Sequence, residues 1–271
     1  MLRGRVSTRP FSTVLQPVTL NLMRCRKLLP GLFGVLSATI LAAGCWPDEQ
    51  ATKSASNPAQ KSQPVEPKKA PMGQNVWLEI QGQKRRVVID AYVCLREGLL
   101  EHLMCRKNTK EHEAILAADI DARDIHKALL AAGAEPGAPA RYEQQTYHAP
   151  SGSEIAITLQ YAQGGKTHSV TGQKWVRSIE EKKELKANWV FVGSVLYPDP
   201  VDDKKPPVYA ANSGDVICVS NFEDALLDVS IKSSKDNSEL AFEAWTERIP
   251  PVGTQVKIIL EPVKKDKKSS K

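Results

Sequence analysis

The clearest hydrophobic pattern in the chain predicts an α-helix over about residues 122–132. Its apolar positions recur at helical spacing, namely Ile125, Ala128, Leu129 and Ala132. Asp121 stands where an N-cap is expected, and Gly133 can end the helix in the left-handed conformation. The segment Ser220–Leu227 predicts a second, short helix.

Most of the other apolar positions fall in short runs rich in β-branched and aromatic residues, which are typical of strands. Strands are predicted at Val76–Ile80, Arg86–Cys94, Glu154–Ala162, Lys166–Thr171, Trp175–Ile179, Trp189–Val195, Val208–Ala211, Val216–Ser220 and Gln255–Glu261. Leu99–Cys105 and His112–Ala118 predict a hairpin, with a helix as the alternative for Leu99–Cys105. The pattern therefore predicts an α+β fold: a single antiparallel-rich β domain with one clear helix and a second short helix.

The first 44 residues have the order of a secretory signal peptide. They contain six basic residues and no acidic one, and they end in the apolar run Leu28–Ala43. Pro30 and Gly31 interrupt that run, which is shorter than the roughly 20 apolar residues of a membrane span. Because Met23 would give a signal of typical length, residues 1–22 are expected to be a mis-called start.

Cys45 is the predicted lipidation site. The small residues before it resemble a bacterial lipobox, although Ala42 stands where that pattern has Leu. The alternative is an ordinary signal peptide that is cut near Ala43 or Gly44. Residues 45–75 are poor in large apolar side chains, which predicts a disordered tether. We therefore expect an exported protein that is anchored to a bacterial membrane by lipid, on the periplasmic or outer side.

Charge changes the picture once the signal is removed. The whole chain has a net charge of +6, and the six basic residues of positions 1–44 account for all of it. The part from Cys45 onward has 31 basic and 31 acidic residues and so no net charge, which does not indicate nucleic acid as a partner. The basic end, residues 263–271, is predicted to be a solvated tail, which leaves residues 76–262 as the folded domain.

Three cysteines remain after the signal peptide and Cys45. In an oxidising compartment a Cys94–Cys105 disulfide would close ten intervening residues and contribute roughly 2–3 kcal/mol. Cys218 would then be a buried thiol; the alternative is that all three are free core thiols. A zinc site of Cys94, Cys105, His112 and Cys218 is a sharper hypothesis, without the spacing of common zinc motifs. No cofactor is predicted otherwise, and three scattered cysteines do not favour an iron–sulfur cluster.

The segment Lys110-Glu111-His112-Glu113 is the candidate functional charged cluster. A histidine between carboxylates suits acid/base work or metal binding, whereas alternating charge beside a turn is also typical of a solvated surface. The chain contains no GxSxG, HExxH or dinucleotide fingerprint. No catalytic residue is therefore predicted.

Several motifs together resemble the bacterial YdjY-domain proteins: CLREGLLEHLMC, TKEHEAILAADI, QKWVRSI, NWVFVGS, GDVICVSNFEDALLD and FEAWTERIPPVGT. The resemblance covers most of Val76–Pro262, and it implies an exported protein or lipoprotein. It implies no reaction. One member is described as ferredoxin-like, but the cysteine run that such a label implies is missing from this chain.

Two hypotheses of function follow. The first is a lipid-anchored binding or assembly module at the cell envelope, whose partner is an envelope protein or ligand. The second is a thiol- or metal-dependent redox or electron-transfer accessory protein that uses Cys94, Cys105, His112 and Cys218.

Overall fold

The computed structural model describes residues 66–264, except for 145, 200, 203, 235, 237 and 238. These residues belong to one compact unit, Lys61–Lys271. The predicted signal peptide, the lipidation site Cys45, most of the predicted tether and the tail from residue 265 onward lie outside the described residues.

The described part of the chain is built mainly of β-strands. The strands are β1 (Lys68–Gly73), β2 (Val76–Gln81), β3 (Lys84–Val93), β4 (His102–Arg106), β5 (Ala114–Ala118), β6 (Arg141–Glu143), β7 (Thr146–His148), β8 (Glu154–Gln163), β9 (Lys166–Thr171), β10 (Val176–Ser178), β11 (Trp189–Phe191), β12 (Leu196–Tyr197), β13 (Val208–Tyr209), β14 (Ile217–Cys218), β15 (Leu227–Val229), β16 (Phe242–Ala244) and β17 (Gln255–Pro262). The helix α1 spans Ala122–Ala132, and three short 3-10 turns lie at Gly172–Trp175, Ala210–Ser213 and Thr246–Arg248.

Eight of the strands close into a barrel. Their order is β3-β17-β8-β11-β15-β14-β4-β5, and β5 pairs with β3 to close the ring through Tyr92 opposite Ala117 and Val93 opposite Leu116. Three further strands extend this sheet, because β1 and β2 continue from β3 and β9 pairs with β8. The pairs β10–β16, β12–β13 and β6–β7 form separate two-stranded sheets.

The predicted α+β fold class is wrong. The domain is a closed barrel that is mostly β, and α1 is the one α-helix among the described residues. The short strands predicted from the sequence largely form, and β8, β9 and β17 match their predicted segments to within one residue. Closure depends on which distant strands become neighbours. The residues of one strand do not encode that choice locally.

The second helix, predicted at Ser220–Leu227, does not form. The chain turns there and then enters β15, because the N–H groups of Leu226 and Leu227 donate to the carbonyls of Asp215 and Val216 at 2.9 and 3.0 Å. The Asn221 side chain also reaches Asp228, at 3.2 Å from both carboxylate oxygens. Contacts with the barrel wall therefore replace the local helical hydrogen bonds.

The hairpin predicted from Leu99–Cys105 and His112–Ala118 is also wrong, because its two strands are not antiparallel. β4 and β5 form where strands were expected, but they run parallel, with His102 opposite Ala114 and Cys105 opposite Ala117. The connecting segment, residues 107–113, returns the chain to the other end of β4. It thereby carries the predicted charged cluster across the face of the barrel.

The helix α1 agrees with its prediction in extent and in both caps. The Asp121 carboxylate accepts a hydrogen bond from the Arg123 N–H at 2.9 Å, and Gly133 adopts φ 92°. The helix packs against β1, β2, β3 and β17 through a buried face that contains Ile125 and Leu129. Burying each of these side chains contributes roughly 1.5–3 kcal/mol.

The folded domain begins earlier in the chain than predicted, because β1 lies inside the segment expected to be a tether.

The barrel interior is filled by large apolar side chains, among them Trp175, Trp189 and Phe191. Among the described residues, no helix has both the length and the apolar character that crossing a bilayer requires.

Candidate functional site

A buried polar cluster lies on the outer face of the barrel wall, beneath Phe222. His102 in β4 and Cys218 in β14 are directly opposite each other, so their side chains project to the same face. Ile217, which precedes Cys218, packs in the main core, whereas Cys218 belongs to a smaller apolar cluster against which Phe222 packs. The Phe222 ring stacks on the His102 imidazole, with their centroids 5.1 Å apart. His102 and Cys218 are both fully buried.

Asp215 is the hydrogen-bonding centre of this cluster. Its Oδ1 lies 2.8 Å from His102 Nε2 and 3.0 Å from Lys110 Nζ. Its Oδ2 accepts a hydrogen bond from Ser213 Oγ at 3.0 Å. Both carboxylate oxygens are therefore occupied by donors from the protein.

Lys110 joins three carboxylates. Besides Asp215, its ammonium group lies 3.9 Å from Glu101 Oε2 and 3.8 Å from Glu113 Oε1. The same ammonium lies 4.7 Å from the centre of the Phe222 ring, within the range of a cation–π interaction. The loop between β4 and β5 thus places one cation over a group of three acids.

Burial and hydrogen bonding displace the pKa values of these groups in different directions. Burial lowers the pKa of His102 and so favours its neutral form. Burial by itself would raise the pKa of Asp215, but the hydrogen bonds from His102 and Lys110 outweigh it and lower that pKa to about 2. Burial and the neighbouring Glu113 raise the pKa of Glu101 to about 7.

The thiol of Cys218 is held in its protonated form. Burial raises its pKa well above the ordinary value, and the carboxylates of Asp215 and Asp228 add to the shift. Asp228 is itself fully buried, and burial raises its pKa to about 8 against the hydrogen bonds from Asn221. A protonated thiol is a poor nucleophile, so Cys218 is not activated by its surroundings.

Two groups of side chains in the described residues could hold a metal ion, and both contain His102. One consists of His102, Asp215 and Cys218, and the other of Glu101, His102 and Glu113. Within each group the ligand atoms lie within 4.8 Å of one another. Imidazole, thiolate and carboxylate together suit zinc and related transition metals, whereas two carboxylates and an imidazole form a harder set.

The four residues predicted as a zinc site are divided between different places. Cys218 lies in the buried cluster, whereas neither metal-binding group among the described residues includes Cys94, Cys105 or His112. His112 is exposed, with its Nε2 3.7 Å from Glu113 Oε2. Zinc binding by the predicted set was not tested and stays a prediction.

Cys94 and Cys105 are neighbours but are not bonded to each other in the structure. Their side chains meet over Ala117, and hydrogen bonding with Cys105 raises the pKa of the Cys94 thiol. The predicted Cys94–Cys105 disulfide is therefore not shown, and it stays a prediction.

The predicted charged cluster is split by the structure. Lys110 and Glu113 belong to the buried cluster, whereas Glu111 accepts hydrogen bonds from Tyr92 Oη at 3.1 Å and from the Asn108 N–H at 3.0 Å. The alternation expected for a strand does not apply, because residues 110–112 lie in the loop before β5. A role of these four residues in function remains untested.

The central residues of the buried cluster, His102, Asp215 and Phe222, were missed by the sequence analysis. One signal was available for two of them. His102 interrupts the apolar run Leu100–Met104, and Asp215 directly precedes the apolar run Val216–Val219. Polar groups within buried strands need partners, which indicates that such residues meet elsewhere in the fold.

The domain is thus a closed β-barrel whose outer wall carries a buried network of histidine, lysine, carboxylates and a thiol. A surface cavity of about 950 Å³ lies elsewhere, between Lys84, Pro136 and Glu261.

The YdjY domain family matches residues 78–261, and the chain belongs to this family. No curated protein and no solved structure matches the chain.

Proposed function

We propose that the protein is an exported, lipid-anchored cell-envelope protein, and that its barrel domain is a binding or assembly module without catalytic activity of its own. The signal-like order of residues 1–44 and the lipobox-like residues before Cys45 support export and anchoring. The binding role rests on one observation, which is the exposed apolar side chains of the hairpin formed by β12 and β13.

The β12–β13 hairpin and its connecting loop expose several large apolar side chains. Tyr197 and Val208 lie directly opposite each other and are 47% and 52% exposed. Leu196 is 62% exposed, and Val201, in the connecting loop, is 88% exposed. The adjacent exposed side chains of Tyr197 and Val208 favour a protein contact surface, whereas single exposed apolar residues need no explanation.

The hairpin is held in place before any partner binds. Tyr197 Oη donates a hydrogen bond to Asp224 Oδ1 at 2.9 Å, and Ser194 Oγ donates to the Asp224 carbonyl at 2.7 Å. Ordering in advance reduces the entropy lost on binding. The occupant that fits is an envelope protein with an apolar surface of its own, because the hairpin carries its apolar side chains in a fixed arrangement.

The chemistry of the buried cluster does not favour catalysis. Its thiol, Cys218, is fully buried and has a raised pKa, and the Asp215 carboxylate is saturated by donors from His102, Lys110 and Ser213. A catalytic nucleophile needs activation and access to a substrate. The arrangement supports a binding module better than an enzyme.

Lipid attachment is tested by metabolic labelling with an alkyne-bearing fatty acid in a bacterial host that expresses the full chain. We expect label on the wild-type protein in the membrane fraction and none on Cys45→Ala. Cys105→Ala is the control, and it should retain the label. An unlabelled wild-type protein would contradict the anchoring proposal.

The docking surface is tested in the same cells by placing a photo-crosslinking amino acid at position 208, with position 252 as the control. Val252 is exposed to a similar degree, 62%, but lies in the turn before β17. We expect one crosslinked species of defined mass from position 208, absent from position 252 and lost when Leu196 is replaced by Asp. Equal crosslinking at both positions, or a crosslink to a second copy of the chain, would contradict a dedicated surface for a different protein.

A further inference from the structure

His102 has a ring nitrogen without a partner. Its Nε2 is 2.8 Å from Asp215 Oδ1, an oxygen that also faces the Lys110 ammonium at 3.0 Å. A carboxylate beside an ammonium is an acceptor, so Nε2 carries the proton and donates to it. In the neutral imidazole, Nδ1 then carries a lone pair and no proton. This atom is fully buried and has no hydrogen-bond partner among the described residues.

A second buried polar atom without a partner lies two residues after Cys218. Ser220 Oγ is fully buried and makes no hydrogen bond within the part of the chain that the structure describes. The Ser220 N–H donates to the Glu101 carbonyl at 3.2 Å, which places Ser220 next to the strand that carries His102. Because unsatisfied buried polar atoms are rare, two of them at one cluster indicate a bound species that satisfies them.

The charge balance of the cluster favours a cation. Glu101, Glu113 and Asp215 bring three carboxylates together, and Lys110 supplies one ammonium. Three acids against one base leave two negative charges uncompensated when all of these groups are ionised, and one when Glu101, whose pKa is raised to about 7, holds a proton. Burial of unpaired charge is costly, and a divalent cation would remove that cost.

We propose that this cluster binds one divalent transition-metal ion of the zinc class, with His102 Nδ1 and the Cys218 thiolate as ligands and Asp215 as the residue that orients the imidazole. The proposal goes beyond the docking role and does not depend on it. Metal-binding histidines commonly donate their second ring N–H to a carboxylate, which is the arrangement of His102 and Asp215. Asp215 stays outside the coordination sphere, because its two oxygens already accept hydrogen bonds.

Glu101 and Glu113 each have a carboxylate oxygen within 4.8 Å of a His102 nitrogen, but they form a second group with His102 that does not include Cys218. The proposed site therefore rests on His102 and Cys218. When the ion binds, the Cys218 S–H bond breaks, a sulfur–metal bond forms and the proton leaves to solvent. Since the ligands are buried beneath Phe222, the ion would enter during folding, before the segment Ser220–Leu227 covers them.

The experiment refolds the full chain from denaturant in the presence of Zn²⁺ or Co²⁺ and a reductant that does not bind metals. Metal content after dialysis is measured by elemental mass spectrometry, and a thiolate ligand is detected by its charge-transfer absorption to Co²⁺. Cys218→Ala is compared with Cys105→Ala, because both residues are buried strand thiols and only Cys218 lies in the cluster.

We expect about one retained ion per wild-type chain, with thiolate-to-cobalt absorption. Cys218→Ala should lose that absorption and bind at least tenfold more weakly, whereas Cys105→Ala should behave as wild type. The proposal would be overturned by a wild-type chain that retains no ion, by absorption that persists in Cys218→Ala, or by an equal loss in Cys105→Ala.

A measurement on the wild-type chain covers the case in which Cys218→Ala does not fold. Alkylation of the three thiols is followed by peptide mass spectrometry in mild denaturant, with and without the ion. Slower alkylation of Cys218 with metal, and an unchanged rate at Cys105, support the proposal. Equal rates at Cys218 under both conditions would refute it.

Discussion

At the scale of single residues, polar side chains that the barrel buries give this domain its distinctive chemistry. Asp215 stays ionised because donors surround it, whereas Asp228 retains a proton because burial dominates over the hydrogen bonds that it accepts. The two aspartates lie on neighbouring strands or strand ends. Their opposite behaviour shows that the local set of partners, and not burial alone, decides the charge state.

Asp228→Asn tests that conclusion through the pH dependence of stability. The folded-state pKa of Asp228, about 8, lies above the ordinary 3.8, so its contribution is fully present below about pH 4. That contribution is lost as the pH rises through 8, because ionisation of the buried carboxyl is penalised. From pH 4 to 8 we expect the free energy of unfolding of the wild type to fall by a few kcal/mol, on the order of the shift, relative to Asp228→Asn.

The measurement is urea denaturation of the full chain at a series of pH values. Glu247→Gln, at an exposed site, is the control and should keep the wild-type pH dependence. Parallel curves for the wild type and Asp228→Asn would show that Asp228 does not carry this dependence.

At the scale of elements, close backbone approaches fix how the strands meet. Gly152, just before β8, has φ 137°, and a Cβ atom added there would lie 2.0 Å from the Phe191 carbonyl oxygen of β11. The Phe191 carbonyl belongs to the backbone, so it cannot move aside as the end of a flexible side chain could. A glycine at this position is therefore required by the contact between β8 and β11, independently of the turn itself.

Gly152→Ala should destabilise the domain by about 3 kcal/mol, because the added methyl group forces β8 and β11 apart. The matched control is Gly164→Ala in the β8–β9 turn, where φ is also positive, at 59°, but nothing lies within 4 Å of the added Cβ. We expect that control to cost about 1 kcal/mol from backbone strain alone. Chemical denaturation compares the two, and equal losses would refute a steric role for Gly152.

At the scale of the whole molecule, the closed barrel and its attachments should differ in local stability. β17 pairs along its length with both β3 and β8, whereas β12 and β13 pair with each other outside the barrel sheet. Opening β17 breaks two ladders and exposes the core. Opening the hairpin breaks one short pair of strands.

Native-state hydrogen exchange should therefore show the slowest amides in β3, β8 and β17, and exchange at least 100-fold faster in β12 and β13. The amides of β9, an added strand that pairs with β8, should fall between these two groups. Protection of the β12–β13 hairpin equal to that of β17 would contradict this ranking. It would indicate that the hairpin unfolds only with the barrel.

The sequence by itself determined the local elements of this protein. The helix α1 and its caps and the strands β8, β9 and β17 follow from residue patterns. These features depend on neighbours within a few positions. Hydrophobic periodicity, an N-cap aspartate and a C-cap glycine therefore suffice to predict them.

Only the tertiary structure decided the closed barrel and the buried cluster. Closure requires β5 to meet β3, and the parallel course of β4 and β5 follows from that arrangement and not from the turn residues between them. The cluster joins His102 to Asp215 across more than a hundred residues. Such pairings are set by the register of distant strands, which no short stretch of sequence specifies.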